Sequence, residues 1–433
     1  MRSLLLRARE SFWFLPTIFG VGAIILALLL IEADVLLIGA GITHLPVLAD
    51  LSATGGRAIL TTIGGTMLGV AATSFSITIS VLATTSSAYG PRLVRNFMAD
   101  RGNQIVLSVL TATFLYALTV LRAVRTEDDA SAAFVPTLSI SAALVFAVAD
   151  VAVLVYFIHH IATSVQVSTL QSRALEELRA VIELVYPDAD DPRADRENRE
   201  KAELLRATGG VPIAAAESGY VAYLDLDGLR DAARKDASIY EVVSAPGEYV
   251  RAGDTVIIRH GAQSHEVDDK DASKCVVVGR QRTPHQDARF ALQQLIETGV
   301  RGLASGTNDP YTAVSAFDFI GDALSHICER GHARGPLRDT DGSIRVLIPW
   351  PDPSELVHDV FLAARTYGTE HPAVVEAIVR LAHRLAGAAH GDTRAVLDTE
   401  VRQFLAAYER TQSRQPEAAR VRAAFEASIS KLE

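Results

Sequence analysis

Four long stretches of this sequence carry no charged residue, or only one, and a bilayer core of about 30 Å is the environment such stretches fit. The first runs from Ser11 to Ile31, between Glu10 and Glu32, and the second from Ala58 to Pro91, between Arg57 and Arg92. The third lies between Arg101 and Arg122, and the fourth between Asp129 and Arg173, broken only by Asp150. An α-helix rises about 1.5 Å per residue, so about 20 apolar residues cross the core. Transmembrane helices are expected over residues 11–31, 58–83, 102–121 and 134–161. Arg2, Arg7 and Arg9 ahead of the first run suit a secretory leader as well as an anchor. The run is long for a leader core and no small-residue cleavage site follows it, so it reads as a retained anchor.

Composition separates this membrane part from the rest. Residues 1–172 hold nine Lys+Arg and nine Asp+Glu, so the whole net charge of −10 belongs to residues 173–433, with 32 basic and 42 acidic residues. A mean hydropathy of +0.21 argues against disorder and against a wholly soluble enzyme. The acidic half has no run of Lys or Arg, which excludes the electrostatic footprint of a nucleic-acid binder. Two cysteines, Cys275 and Cys328, stand in apolar segments and indicate neither a disulfide framework nor a metal site. Basic residues favour two faces: Arg2, Arg7 and Arg9 before the first span, and Arg92, Arg95 and Arg101 between the second and third. The other loops hold Glu32, Asp34 and Asp50, and Glu127, Asp128 and Asp129. The positive-inside rule then places both termini in the cytoplasm.

The second span is the informative one. Thr62, Thr66, Gly69, Thr73, Ser76, Ser80 and Ser87 recur at spacings of three, four and seven, which sets small or hydroxylated residues in one stripe along a helix. Such a stripe is either a close-packing seam, with Gly65 and Gly69 forming a GxxxG, or the lining of a hydrated path. Asp150 interrupts the fourth span, and an intramembrane carboxylate is a functional candidate because its desolvation is costly. The alternatives are that it reaches the cytoplasmic interface or bonds silently to a hydroxyl of the second span. His159 and His160 point about 100° apart on a helix and read as interfacial residues rather than as ligands of one metal. Residues 137–186 contain neither Gly nor Pro, so one helix of about 50 residues is expected to leave the membrane as a rod.

Several runs then resemble one bacterial membrane-protein family. They are Ser74-Phe75-Ser76-Ile77-Thr78, Ser86-Ser87-Ala88-Tyr89-Gly90-Pro91-Arg92-Leu93, and Asp100-Arg101-Gly102-Asn103-Gln104. Tyr156 to Ile161, Glu217 to Val221, and Gly306 to Ala313 add further matches. Together they look like the signature of domain of unknown function twenty-two fifty-four. The resemblance covers residues from about 10 to 330, and it implies membrane topology without an activity.

The expected organisation is a four-span transmembrane domain (1–172), a helical extension into the cytoplasm (161–186), a charged linker (187–210), a small β domain (211–280) and a mostly helical region (281–433). The fold class is thus membrane α-helical plus a cytoplasmic α+β region. Strands are expected at 211–216, 220–224, 239–243, 255–259 and 275–278, with glycine turns such as Gly247 and Gly253 between them. This pattern is similar to the small barrel of biotinyl and lipoyl carriers. Lys235, Lys270 and Lys274 are not placed in the hairpin such carriers need, so carrier chemistry is not expected. Two helices are expected within 285–331, joined by Ser305–Pro310, with Asn308 and Asp309 as helix cap or as a ligand-binding helix end. Asp339-Thr340-Asp341-Gly342-Ser343 resembles a phosphatase loop, but Gly335-Pro336-Leu337-Arg338 precedes it where a buried strand is needed, so a hairpin turn is expected. Helices follow over 354–367, 371–387, 392–412 and 416–430.

No GxSxG, HExxH, Walker loop or CxxC occurs, so no catalytic residue, metal ligand or cofactor is expected, and the chain does not read as an enzyme. The expected function is an oligomeric, cation-favouring inner-membrane channel or transporter-like pore. Thr62, Thr66, Gly69, Thr73, Ser76, Ser80, Ser87 and Asp150 are the lining candidates, and the cytoplasmic half regulates or assembles it. The alternative is a membrane-anchored sensor or scaffold whose cytoplasmic half binds a ligand or partner. Expected partners are membrane lipid, further copies of the chain and an inorganic ion, with no nucleic acid.

Overall fold

The structure is a computed structural model. It describes residues 13–40, 51–89, 100–125, 134–164, 166–188, 194–235, 237–261, 270–412 and 416–432. The basic residues at 2, 7, 9, 92 and 95 and the acidic ones at 50 and 127–129 lie outside the described residues. The chain divides into two compact units, 1–169 and 170–433.

Four helices of the first unit are long and apolar enough to cross a membrane: α1 (Phe14–Gly39), α2 (Ala53–Tyr89), α3 (Arg101–Ala123) and α4 (Thr137–Ser164). The first three outlast their expected spans, because a helix continues past its apolar stretch while its backbone stays hydrogen-bonded, and α4 has its expected length displaced by three residues. α1 thereby carries Glu32 and Asp34 on helix rather than in a loop. α3 packs against α1, α2 and α4 and is the most enclosed of the four. Its inward stripe is Asn103, Val106, Leu110, Thr113, Ala117 and Val120, spaced by three and four. α4 contributes Ala143, Asp150, Phe157 and Ser164, seven apart.

The expected 50-residue rod is two helices. α4 ends at Ser164 and α5 (Val167–Val185) begins after a break. α5 buries Leu170, Ala174, Leu175, Leu178, Val181, Ile182 and Val185 in the core of the second unit. The apolar period from 170 to 185 therefore marks a core helix. At its end, Arg330 donates to the carbonyls of Ile182 and Tyr186, which satisfies groups a helix terminus leaves unpaired. The charged stretch 187–210 is also more than a linker. It contains α6 (Ala194–Thr208), whose Arg199 and Arg206 pair with Asp352 and Glu241.

Six strands alternate with two short helices: β1 (Val211–Ala214), β2 (Gly219–Leu224), α7 (Leu226–Lys235), β3 (Ile239–Val242), β4 (Tyr249–Val250), β5 (Thr255–His260), α8 (Lys270–Cys275) and β6 (Val276–Gly279). Helices α9 (Ala288–Gly302) and α10 (Pro310–Arg330), strands β7 (Leu337–Arg338) and β8 (Ile344–Leu347), and helices α11 (Pro353–Tyr367), α12 (Pro372–Ala388), α13 (Gly391–Gln412) and α14 (Ala418–Leu432) complete the chain. The strands lie close to their expected positions, but the small barrel does not form. Two open sheets are present, ordered β1-β5-β3-β8-β7 and β4-β2-β6. The barrel expectation fails because β3 pairs in parallel with β8, about 100 residues on, which draws it into a sheet with β5 and β1 and away from β2. The segment 339–343 is the hairpin turn between β7 and β8, with Asp339 N donating to the Ser343 carbonyl at 2.9 Å.

Candidate functional site

The hydroxylated stripe of α2 points away from its own bundle. Thr62, Thr66, Gly69, Thr73, Ser76 and Ser80 are all exposed, while Leu60, Ile63, Ala71, Ser74 and Thr78 form the buried face. A Cβ placed on Gly65 or Gly69 would meet nothing within 4 Å, so the GxxxG packs against no helix among the described residues. Thr62 and Thr73 return their hydroxyl protons to the carbonyls of Ala58 and Gly69, four residues back, at 2.8 and 3.0 Å. Ser87 lies on α2 with its side chain outside the described residues.

Asp150 does not share that face. It is 2% exposed, inside the bundle, and Thr113 of α3 is the hydroxyl beside it. The hydroxyl it meets thus belongs to the third span, not the second. Neither carboxylate oxygen completes a hydrogen bond among the described residues, and the same is true of the Asn103 amide. The stripe and Asp150 therefore stand on different sides of the bundle wall, the one exposed and the other buried.

Two carboxylates that sequence reasoning did not single out organise the ends of the bundle. At one end Asp34 of α1 accepts from Leu138 N (2.9 Å), Ser139 N (3.0 Å) and Ser139 Oγ (2.7 Å). It thereby caps the positive end of α4. Tyr116 OH donates to the Ser139 carbonyl at 2.9 Å, locking α3 to the same turn. At the other end Asp100 caps α3 through Gly102 N at 2.8 Å, and its Oδ1 lies 2.9 Å from His160 Nε2. His160 is thus a hydrogen-bond partner that ties the end of α4 to the start of α3, with Tyr156 stacked on its ring. Asp100 directly before a helix was a readable cap signal, whereas its pairing with His160 was not.

In the second unit Asp309 uses its carboxylate on Thr312, accepting from its backbone N at 3.3 Å and its hydroxyl at 2.7 Å. Asn308 takes a positive φ of 46° in the tight loop before it. Asp309 is thus the cap of α10. A different cluster is better placed to meet a ligand. Glu400 of α13 is buried and accepts from Arg365 at 3.0 Å, and His358 Nδ1 of α11 lies 2.7 Å from it. The half-exposed imidazole lines a cleft of about 520 Å³, together with Arg289, Ser354, Glu355 and Thr399. Sequence reading missed it because 42 residues separate the partners. Neither cysteine offers a nucleophile. Burial pushes the Cys275 thiol up to about 11, with Asp225 and Asp271 adding to it, and burial pushes Cys328 up to about 12. Among the described residues no three His, Cys, Asp or Glu side chains gather to hold a metal.

Comparison with known proteins agrees with the membrane architecture. A family described as "Predicted membrane protein (DUF2254)" matches residues 9–384. An uncharacterized protein of Mycobacterium bovis and two of Mycobacterium tuberculosis are each 29% identical over 330 residues, 75% of this chain. The chain spans 62% of the length of these relatives. No solved structure matches it.

Proposed function

The chain belongs to the DUF2254 family of predicted membrane proteins, and we propose that its copies assemble in a bacterial inner membrane, both termini cytoplasmic, around a path lined by the outward face of α2. The observation that carries this reading is the placement of the stripe. Six hydroxylated or glycine positions face out of the bundle, where a neighbouring copy or a shared axis would meet them. Small residues let helices approach closely, and hydroxyl oxygens offer lone pairs to a partly dehydrated cation. Each subunit would supply one α2, and the second unit would regulate or hold the assembly.

The test is flux through the purified full chain in liposomes, with its oligomeric state measured in the same membrane. Ser76→Leu and Ser80→Leu are expected to abolish cation flux while the oligomer persists. Loss of the oligomer with no flux in either form would mark the stripe as a packing seam alone.

A second reading, a membrane-anchored sensor or scaffold, draws support from the cleft beside His358. A carboxylate-backed imidazole opening on about 520 Å³ is suited to a small polar ligand. A small molecule that co-purifies with the wild type and is lost from His358→Ala would favour it.

A further inference from the structure

The core of the membrane unit is split in two. One apolar cluster gathers Ala27, Leu60, Ile63, Ala117, Val120 and Ala143, and the other Ala71, Val106, Leu110, Phe157 and Ile161. Along α3 the interruption falls at Thr113, between Leu110 and Ala117. Along α4 it falls at Asp150, between Ala143 and Phe157. Asp150 therefore occupies an inward position that its neighbours seven residues away fill with an alanine and a phenylalanine.

Among the described residues the Thr113 hydroxyl is the polar group beside that carboxylate. Asp150 itself is 2% exposed, and neither oxygen completes a hydrogen bond among the described residues. The ionisable groups of every helix packed on α4 are remote. α1 offers Glu32, which is exposed, and Asp34, which is committed to the start of α4. α2 offers Arg57 near its first turn and Tyr89 at its last residue, and α3 offers Arg101 and Arg122 at its ends and Tyr116, bonded to Ser139. On α4 itself Tyr156 faces outward, His159 is exposed, and His160 pairs with Asp100. Among the described residues, the cationic side chains of the helices packed on α4 are Arg57, Arg101 and Arg122, all near helix ends. An uncompensated charge buried in a bilayer is among the costliest arrangements in a protein, and a compensating ion is the ordinary resolution.

We propose that Asp150, with the Thr113 hydroxyl, is a binding site for one monovalent cation, a proton or an alkali ion, inside each bundle. The site is separate from the α2 stripe, so it stands whether or not copies assemble around that stripe. Occupancy neutralises the layer between the two apolar clusters and makes the packing of α3 on α4 responsive to pH or to sodium.

The deciding experiment compares the thermal unfolding of the full chain in lipid nanodiscs with that of Asp150→Asn. Both are measured from acid to alkaline pH, and with sodium replaced by choline. The wild type, relative to D150N, is expected to lose stability as the bound ion is withdrawn. The limit is about a tenfold change in the folding equilibrium for each tenfold change in the concentration of one bound ion. Asp150→Leu gives the same comparison from a second uncharged side chain if Asn fails to fold. Labelling of Asp150 by a hydrophobic carbodiimide, read by mass spectrometry, then identifies the ion. Labelling that falls with rising pH and ignores sodium marks a proton, and labelling suppressed by sodium at fixed pH marks an alkali ion. Wild-type and D150N stabilities that run parallel across pH and across sodium overturn the proposal.

Discussion

Replacing Asp34 by Ala is the sharpest available test of how the bundle is held together. The carboxylate accepts three hydrogen bonds from one turn of α4, two from backbone N–H groups and one from the Ser139 hydroxyl. Loss of a helix cap costs about 1 kcal/mol, and a buried donor left without a partner costs about 1–3 kcal/mol. Water reaches this turn poorly, since Asp34 is 4% exposed and Ser139 fully buried. Allowing for non-additivity within one cluster, we predict that Asp34→Ala destabilises the full chain by about 3–5 kcal/mol. Asp34→Asn keeps one acceptor and should cost about half as much. Ser139→Ala, which removes only the hydroxyl donor, should cost about 1 kcal/mol. The assay is equilibrium unfolding of the purified protein in bicelles, followed by circular dichroism. An Asp34→Ala protein within about 0.5 kcal/mol of wild type, or a Ser139→Ala cost above that of Asp34→Ala, refutes the assignment of the cap.

Three further outcomes are expected. Gly247 has a φ of +94°, and a Cβ there would sit 1.9 Å from Asp287 Oδ2; Gly247→Ala should cost about 3 kcal/mol or more in the same unfolding assay. Glu241, 2% exposed, bridges Arg206 and His260, so Glu241→Ala, which leaves the buried imidazole without that partner, should destabilise by about 1–3 kcal/mol, seen also as faster proteolysis within α6. The raised thiols of Cys275 and Cys328 mean that the native protein should react with maleimide only slowly at neutral pH and quickly once denatured. Because the folded thiols hold their protons above the ordinary thiol value, unfolding should be increasingly favoured as pH rises past that value toward about 11. Rapid labelling of the native chain at neutral pH would contradict this.

What could be read in advance was what depends on neighbours in sequence. The apolar run Tyr220–Leu224, bounded by glycine, yields β2 almost to the residue, and Asp309-Pro310 marks the start of α10 because cap and first turn are adjacent. The period between Leu170 and Val185 fixed a helix and one apolar face, but nothing local said whether that face met solvent, lipid or a core. The barrel expectation failed at the same point: strand identity is local, whereas the β3–β8 pairing is not. The α2 stripe was visible as a pattern, yet its direction depended on which side of α2 met α3. Asp34 looked like a loop acid because its partners lie 104 and 105 residues away. The pairing of His160 with Asp100 and of His358 with Glu400 was hidden for the same reason.

The span between Asp34 and its partners also has a temporal side. A ribosome adds about 5–20 residues per second, so α1 exists for about 5–20 s before Leu138 and Ser139 are made. For that interval Asp34 has no helix to cap. It must wait hydrated at the membrane edge, held by a translocation channel or by lipid headgroups, and α1 cannot settle into its final depth. The fourth helix thus does more than complete the bundle: its arrival supplies the donors that Asp34 accepts from. Chains interrupted before Leu138 should present a first helix that is still mobile across the membrane boundary, and the cell's quality control would meet the protein in that state.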